Sequence, residues 1–209
     1  MPDLNLQRIS VAALAVADAR GAGGFTMRAV AKELGVSPMA LYHHVPDKAG
    51  LVELLANHVI ASFPLPLPTG NWRDDLLEMC RWMRTMTLAH PAVGRLRSEH
   101  SVVTPRIFPI AERWMSLWQQ SGLRLDDATL AAAASGRALV GFVDQVMVTA
   151  DEEMPDESLL AAFPNARFAF NSEHDADAEF ELMIHGLIAG IYGQFAEAVV
   201  ASTSEGRPT

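Results

Sequence analysis

The chain has 209 residues, half of them apolar and a fifth charged, enough for a sizeable core and too apolar for wholesale disorder. Its 16 Lys+Arg face 25 Asp+Glu, a formal charge of −9, which excludes a polycation that coats nucleic acid by bulk charge. The single cysteine, Cys80, excludes an internal disulfide, a zinc finger and a CxxC redox motif.

The start, Met1 to Asn5, has no basic stretch leading into an apolar run, so no secretory signal is expected. The most apolar region, Leu182 to Val200, contains His185, Gln194 and Glu197 and reads as an amphipathic helix rather than a membrane span. A cytoplasmic location is the expectation. The period is helical almost throughout, without alternating runs or Asn-Gly and Asp-Gly hairpins, so the fold class is all-α.

In chain order, Leu6, Ile9, Ala13, Val16 and Ala17 form the stripe of a first helix over about 5–20, ended by the glycine-rich run 21–24. Thr26 reads as an N-cap flanked by Phe25 and Val30 at hydrophobic-staple spacing, and the second helix stops at Gly35. Ser37 caps a short third helix, Pro38 to about Val45, cut off by Pro46. Asp47 caps a fourth, Lys48 to about Phe63. The proline-rich run 64–68 then marks a boundary between a head, 1–63, and a body, 64–209.

The body resumes with a helix over Trp72–Ala89, ended by His90-Pro91. A loop-rich stretch runs from His100 to Pro109, and a helix follows along Ile107, Ile110, Trp114, Leu117 and Trp118. Asp126 opens a helix rich in small residues that runs to about Thr149. The acidic tracts 151–157 and 171–181 read as solvated connectors. A long last helix carries Phe180, Met183, Ile184, Leu187, Ile188 and Ile191 on one face, and the tail 202–209 is expected to be disordered.

Residues 26–45 carry the clearest functional signal. Two short helices meet at Gly35, with a small Ala31 where they cross and Val30, Leu34, Val36 and Leu41 closing the joint, which is helix-turn-helix grammar. The second helix of such a unit enters the major groove. Its outward side here carries Ser37, Met39, Ala40, His43 and His44. Met39 and Ala40 suit thymine methyls, and the imidazoles can donate or accept. Thr26, Arg28, Tyr42 and Lys48 suit phosphates, Lys48 from the start of a helix whose free N–H groups favour an anion. Charge is sparse: residues 1–60 hold 5 Lys+Arg and 5 acids, so a modest salt dependence and a need for dimerisation are expected.

The run from Phe25 to Val45, with Leu41, Tyr42, His44, Val45 and Lys48 in the pattern Leu-Tyr-x-His-Val-x-x-Lys, resembles the DNA-binding head of the TetR family of bacterial repressors. Trp72 to Leu76, Leu88 to Pro91 and Gly122-Leu123 resemble the body of its tetracycline-repressor-like subfamily. The resemblance implies an all-helical homodimer on a palindromic operator in double-stranded DNA, with a small-molecule effector in the body. It implies DNA contacts by Thr26, Arg28, Ser37, Met39, Ala40, Tyr42, His43, His44 and Lys48, and an effector pocket drawn from Trp82, Met86, His100, Trp114, Trp118, Phe142 and Gln145.

The body is apolar, so a hydrophobic or aromatic effector is favoured over a metal chelate. No cofactor and no metal site is assigned; His100 reads as a surface histidine. Gly186, Gly190 and Gly193, with the small residues 131–136, would let a second copy's helices approach, and in the family the corresponding helices meet as a four-helix bundle. No GxSxG, HExxH, phosphate loop or dinucleotide motif is present, so an enzyme is not expected. Two alternatives stay open: a helical ligand-binding or adaptor protein whose neutral head does not bind DNA, and a small helical enzyme.

Overall fold

The computed structural model describes residues 4–149, 160–172 and 175–205. Among them are ten helices and no strand: α1 Leu6–Gly24, α2 Met27–Leu34, α3 Pro38–Tyr42, α4 Lys48–Ser62, α5 Trp72–Ala89, α6 Pro91–Glu99, α7 Ile107–Gln120, α8 Leu125–Thr149, α9 Pro164–Asn171 and α10 Ala176–Glu205. The chain divides into two compact units, Met1–Gln120 and Ser121–Thr209.

Local chemistry sets the helix starts in the first unit. The side chains of Asn5, Thr26, Ser37 and Asp47 each accept one backbone N–H from the first turn of the helix that follows, and Asn71 accepts two, so fewer donors are left without a partner at each N-terminus. Gly21 breaks the helical path of α1 with φ 64°, where the glycine-rich run was expected to end it.

The core of this unit gathers Ile9, Ala13, Val16 and Ala17 of α1, Phe25, Val30 and Ala31 around α2, Leu41 and Val45 around α3, and Leu51, Val52, Leu55, Ala56 and Val59 of α4. Val93 and Leu96 of α6 belong to the same cluster. The boundary expected at residue 63 therefore lies inside the first unit, because α6 packs against α1 and α4. Leu76, Met79 and Cys80 of α5 and Trp114, Leu117 and Trp118 of α7 are also buried, and these two helices pack on each other, with the Trp72 and Trp118 rings 5.9 Å apart.

In the second unit α8 packs against α10. Ala128, Ala131, Ala132, Ser135, Leu139 and Val143 are buried on α8, and Phe180, Ile184 and Ile188 on α10. The small side chains of α8 allow a close crossing, and Ser135 satisfies its hydroxyl by donating to the Ala131 carbonyl at 2.6 Å.

Several expectations are corrected here. The third helix ends at Tyr42 rather than near Val45; hydrogen bonds from His44 and Val45 to the Leu41 carbonyl, both 3.0 Å, carry the turn onward. His90-Pro91 ends α5 but also starts α6, since proline at the first helical position loses no hydrogen bond. Pro164 opens α9 in the same way. The tract 171–181 is not simply a connector: Asp175 accepts from the Asp177 and Ala178 N–H groups, and Asp177 and Glu179 fill the positive first turn of α10. That helix continues through Glu205, so the tail expected to be disordered is helical to that point. The acidic tract 151–157 lies outside the described residues.

Candidate nucleic-acid interface

The turn between α2 and α3 is built by a glycine and two backbone bonds. Gly35 sits at φ 68°, a left-handed conformation that costs a residue with a Cβ. Its N–H donates to the Lys32 carbonyl at 3.1 Å, and the Val36 N–H reaches the Ala31 carbonyl at 3.0 Å. This Schellman arrangement closes α2 and aims the chain into α3. Ser37 then caps α3, its Oγ 3.1 Å from the Ala40 nitrogen. Phe25 and Val30 are fully buried, as are Leu41 and, nearly, Val45, so the joint is pinned at both ends.

With Leu41 turned inward, the rest of α3 faces out. Ser37, Met39, Tyr42, His43 and His44 are exposed and Ala40 is half-buried. Thr26 and Arg28 are exposed at the start of α2, where Thr26 uses its hydroxyl to cap the Ala29 N–H at 3.1 Å. Lys48 is half-buried at the first position of α4, where Asp47 Oδ1 accepts from the Gly50 N–H at 2.8 Å. The nine residues expected at DNA thus fall on α3, at its two ends, and at the starts of α2 and α4. Arg28 and Lys48 are the cations of that set, and α3 itself carries none.

The residues expected to bind an effector are spread over both units. Trp82 and Met86 are half-buried on α5, His100 is half-buried just past α6, and Trp114 and Trp118 are buried on α7. Trp118 is fully enclosed against Trp72 and serves the core. Met86 lines a cleft of about 40 Å³ with Ala56, Val59, His90, Val93 and Arg97, room for a water rather than an aromatic ring. In the second unit Phe142 lies against Phe180 with ring centroids 6.1 Å apart. Gln145 falls in α8, and its side chain lies outside the described residues. Among the described residues no group of three or more His, Cys, Asp or Glu side chains is placed to hold a metal ion, and no helix is long and apolar enough to cross a membrane.

One junction within the first unit was not anticipated. His90, between α5 and α6, places Nδ1 3.1 Å from both carboxylate oxygens of Asp18 on α1, and the Phe63 ring meets its imidazole edge-on at 6.1 Å. The head's first and fourth helices are therefore tied to the corner where α6 begins. The available signal was the i, i+3 pair Val93 and Leu96 after Pro91, a short helical stripe hidden by reading the proline only as a stop.

Comparison with known proteins agrees with this architecture. Residues 9–55 match the family described as bacterial regulatory proteins, tetR family, and residues 63–195 match the tetracyclin repressor-like C-terminal domain. The chain is 34% identical over 124 residues to the HTH-type transcriptional repressor DrrR1 of Streptomyces coeruleorubidus, an alignment covering 58% of this chain and 46% of that one. It is 28% identical over 202 residues to the class E tetracycline repressor of Escherichia coli, covering 94% and 95% of the two chains. The crystal structure of the TetR family protein ActR of Streptomyces coelicolor, in complex with actinorhodin, superposes with a TM-score of 0.75 at 29% identity, covering 95% of this chain and all (100%) of that one. With a helix-turn-helix head and a body that both match, the chain belongs to the tetR family of bacterial regulatory proteins, DNA-binding regulators of transcription.

Proposed function

We propose that this protein is a cytoplasmic, homodimeric repressor whose two heads read the half-sites of a palindromic operator and whose bodies release it on binding a small hydrophobic or aromatic effector. The observation that carries this reading is the shared core of the first unit. The helix that follows the linker and α5 inserts Val93 and Leu96 among head residues, so a displacement of α6 must be felt by α1 and α4. Residues 1–63 do the reading and 64–209 the sensing and pairing, and the activity is regulation rather than catalysis.

At the DNA, Ser37, Met39, Ala40, His43 and His44 address base edges, while Thr26, Arg28, Tyr42 and Lys48 address phosphates. Two heads one helical turn apart, about 34–36 Å, compensate for the few cations on each. In the body's part of the first unit, Trp82, Met86, His100 and Trp114 contribute to the effector site, whereas Trp118 belongs to the core. Trp82 Nε1 and Thr104 Oγ1 are buried and meet no hydrogen-bonding partner among the described residues, which suits an effector carrying acceptor oxygens on an apolar frame.

Pairing runs through α8 and α10. Gly186 and Gly190 are exposed on α10, and a Cβ built on either would meet nothing within 4 Å. Glycine inside a helix costs about 1 kcal/mol relative to alanine, so a residue kept that small without need in its own chain serves a second copy. Exposed Leu182 and Ala189 border the same face, and exposed Leu130, Ala134 and Ala138 offer a matching face on α8.

The test begins by letting the full-length protein select a duplex from a random-sequence pool. Fluorescence anisotropy on that duplex then follows its release as tetracycline or actinorhodin is titrated in as first probes. Binding with a two-fold sequence signature and release by an aromatic compound is the expected result. By linkage, the duplex must weaken effector binding by the same factor. A pool without enriched sequences would refute the DNA-reading role, and a released duplex with undiminished effector affinity would refute the coupling.

A further inference from the structure

The inward anchor of α3 fixes what its outer face can read. Leu41 is fully buried. At about 100° per residue, Met39 and His43 each lie roughly 160° from Leu41, on the face turned furthest from the core, with Ala40 and Tyr42 on its flanks. Met39 is 66% exposed, the side chain of this short helix least covered by its own chain among the large apolar ones. A thioether has no donor and is only a weak acceptor, so it cannot discriminate a base by hydrogen bonding. What it can recognise in the major groove is another apolar group, and the apolar group displayed there is the C5-methyl of thymine. The commonest polar alternative, a bidentate Arg or Lys on guanine, is missing because α3 carries neither residue.

Resting on the DNA-reading role proposed above, we infer that Met39 is a specificity-determining residue that reads a C5-methyl group on a pyrimidine of each operator half-site. The base beneath it is thymine in unmodified DNA. Since 5-methylcytosine presents its methyl at the same place in the groove, the contact accepts a methylated C·G pair at that step over an unmethylated one, which makes operator affinity sensitive to cytosine methylation there.

The experiment uses the full-length protein and the duplex it selects from a random pool. Each thymine is replaced in turn by uracil, which removes the methyl and leaves every hydrogen-bonding group in place. At one symmetry-related pair of positions the loss should be about fourfold for each buried methyl, hence about fifteenfold when both half-sites are changed. Placing cytosine or 5-methylcytosine opposite guanine at that step should recover about the same factor in favour of the methylated base. In Met39→Ala, a change at an exposed position that leaves the core untouched, thymine and uracil duplexes should bind alike at that step. The inference is overturned if the wild-type protein binds uracil and thymine duplexes equally at every position, or if Met39→Ala keeps the full methyl dependence. Failure to enrich any duplex would instead bring down the DNA-reading role, and this assignment with it.

Discussion

Shortening Leu96 to alanine asks whether α6 is truly part of the head's core. Leu96 is fully buried in the cluster that gathers residues of α1 and α4, the helices against which α6 packs. Truncating a fully buried leucine costs about 2–5 kcal/mol, rising with the cavity left behind. Half-buried Met86 and Val102 border the same cluster and can relax partway into the space, which places the expected loss in the lower half, about 2–3 kcal/mol. For a chain of this size that lowers the unfolding midpoint by about 5–10 °C. Thermal unfolding of Leu96→Ala, followed by tryptophan fluorescence beside Val103→Ala at an exposed position, measures the difference. The same variant should keep operator binding while responding less to effector, because the wedge that transmits α6 motion to α1 and α4 is shorter. A midpoint shift no larger than that of the control would show that α6 only rests against the head.

Asp75 offers a pH test. Burial pushes its carboxyl up, but the Thr69 backbone N–H at 2.7 Å, the Thr69 hydroxyl at 2.8 Å and the nearby Arg113 charge outweigh this and hold it below its ordinary value. A depressed folded value means that the ionised carboxylate contributes stability fully present above the ordinary carboxylate range and lost as pH falls through the folded value. The stability gap between wild type and Asp75→Asn, measured by urea denaturation, should therefore shrink as pH drops below about 4; a gap constant with pH would contradict the assignment. On α10, Gly190→Glu should leave the protomer folded, since the added side chain meets open space, yet give monomers in sedimentation and weaken operator binding; a dimer would relocate the interface. At the DNA, Lys48→Ala should weaken all sequences alike and reduce the salt slope by about one per lost phosphate contact. His43→Ala should relax base preference at one position by about 1–3 kcal/mol, and an unchanged selected motif would remove His43 from the base-reading set.

The head was legible because its instructions are local. Thr26, Ser37 and Asp47 cap as their positions dictate, and Gly35 takes the left-handed turn that a helix-turn-helix needs. Each of these depends on residues within a few positions, so spacing alone reveals it. The α6 helix was hidden because proline has two local meanings, and only packing of Val93 and Leu96 into a distant core decides between them. The Asp18–His90 pairing spans 72 residues and leaves no periodic trace. The effector residues were harder still. Trp118 and Trp82 look alike in sequence, yet one is sealed against Trp72 and the other holds a buried indole N–H without a protein acceptor among the described residues. A pocket is defined by what is left unfilled, which hydrophobic spacing does not encode.

Charge distribution sets one further consequence. Residues 121–209 hold 4 Lys+Arg and 15 Asp+Glu, whereas residues 1–120 hold 12 and 10, so the unit proposed to pair with its copy carries −11 and the unit that reads DNA carries +2. Bringing two −11 units together is opposed by like-charge repulsion, which salt screens. Operator binding releases counterions and is weakened by salt. The two steps therefore respond to ionic strength in opposite directions. At protein concentrations well below the dimer dissociation constant, where pairing is part of the measured reaction, the salt slope of operator affinity should be shallower than at concentrations where the dimer is preformed. Anisotropy titrations in both regimes between 50 and 200 mM salt, about the range over which such slopes are read, compare the two directly. Equal slopes would mean that the acidic load stands clear of the interface, and that pairing is governed by the small-residue faces of α8 and α10 without an electrostatic opponent.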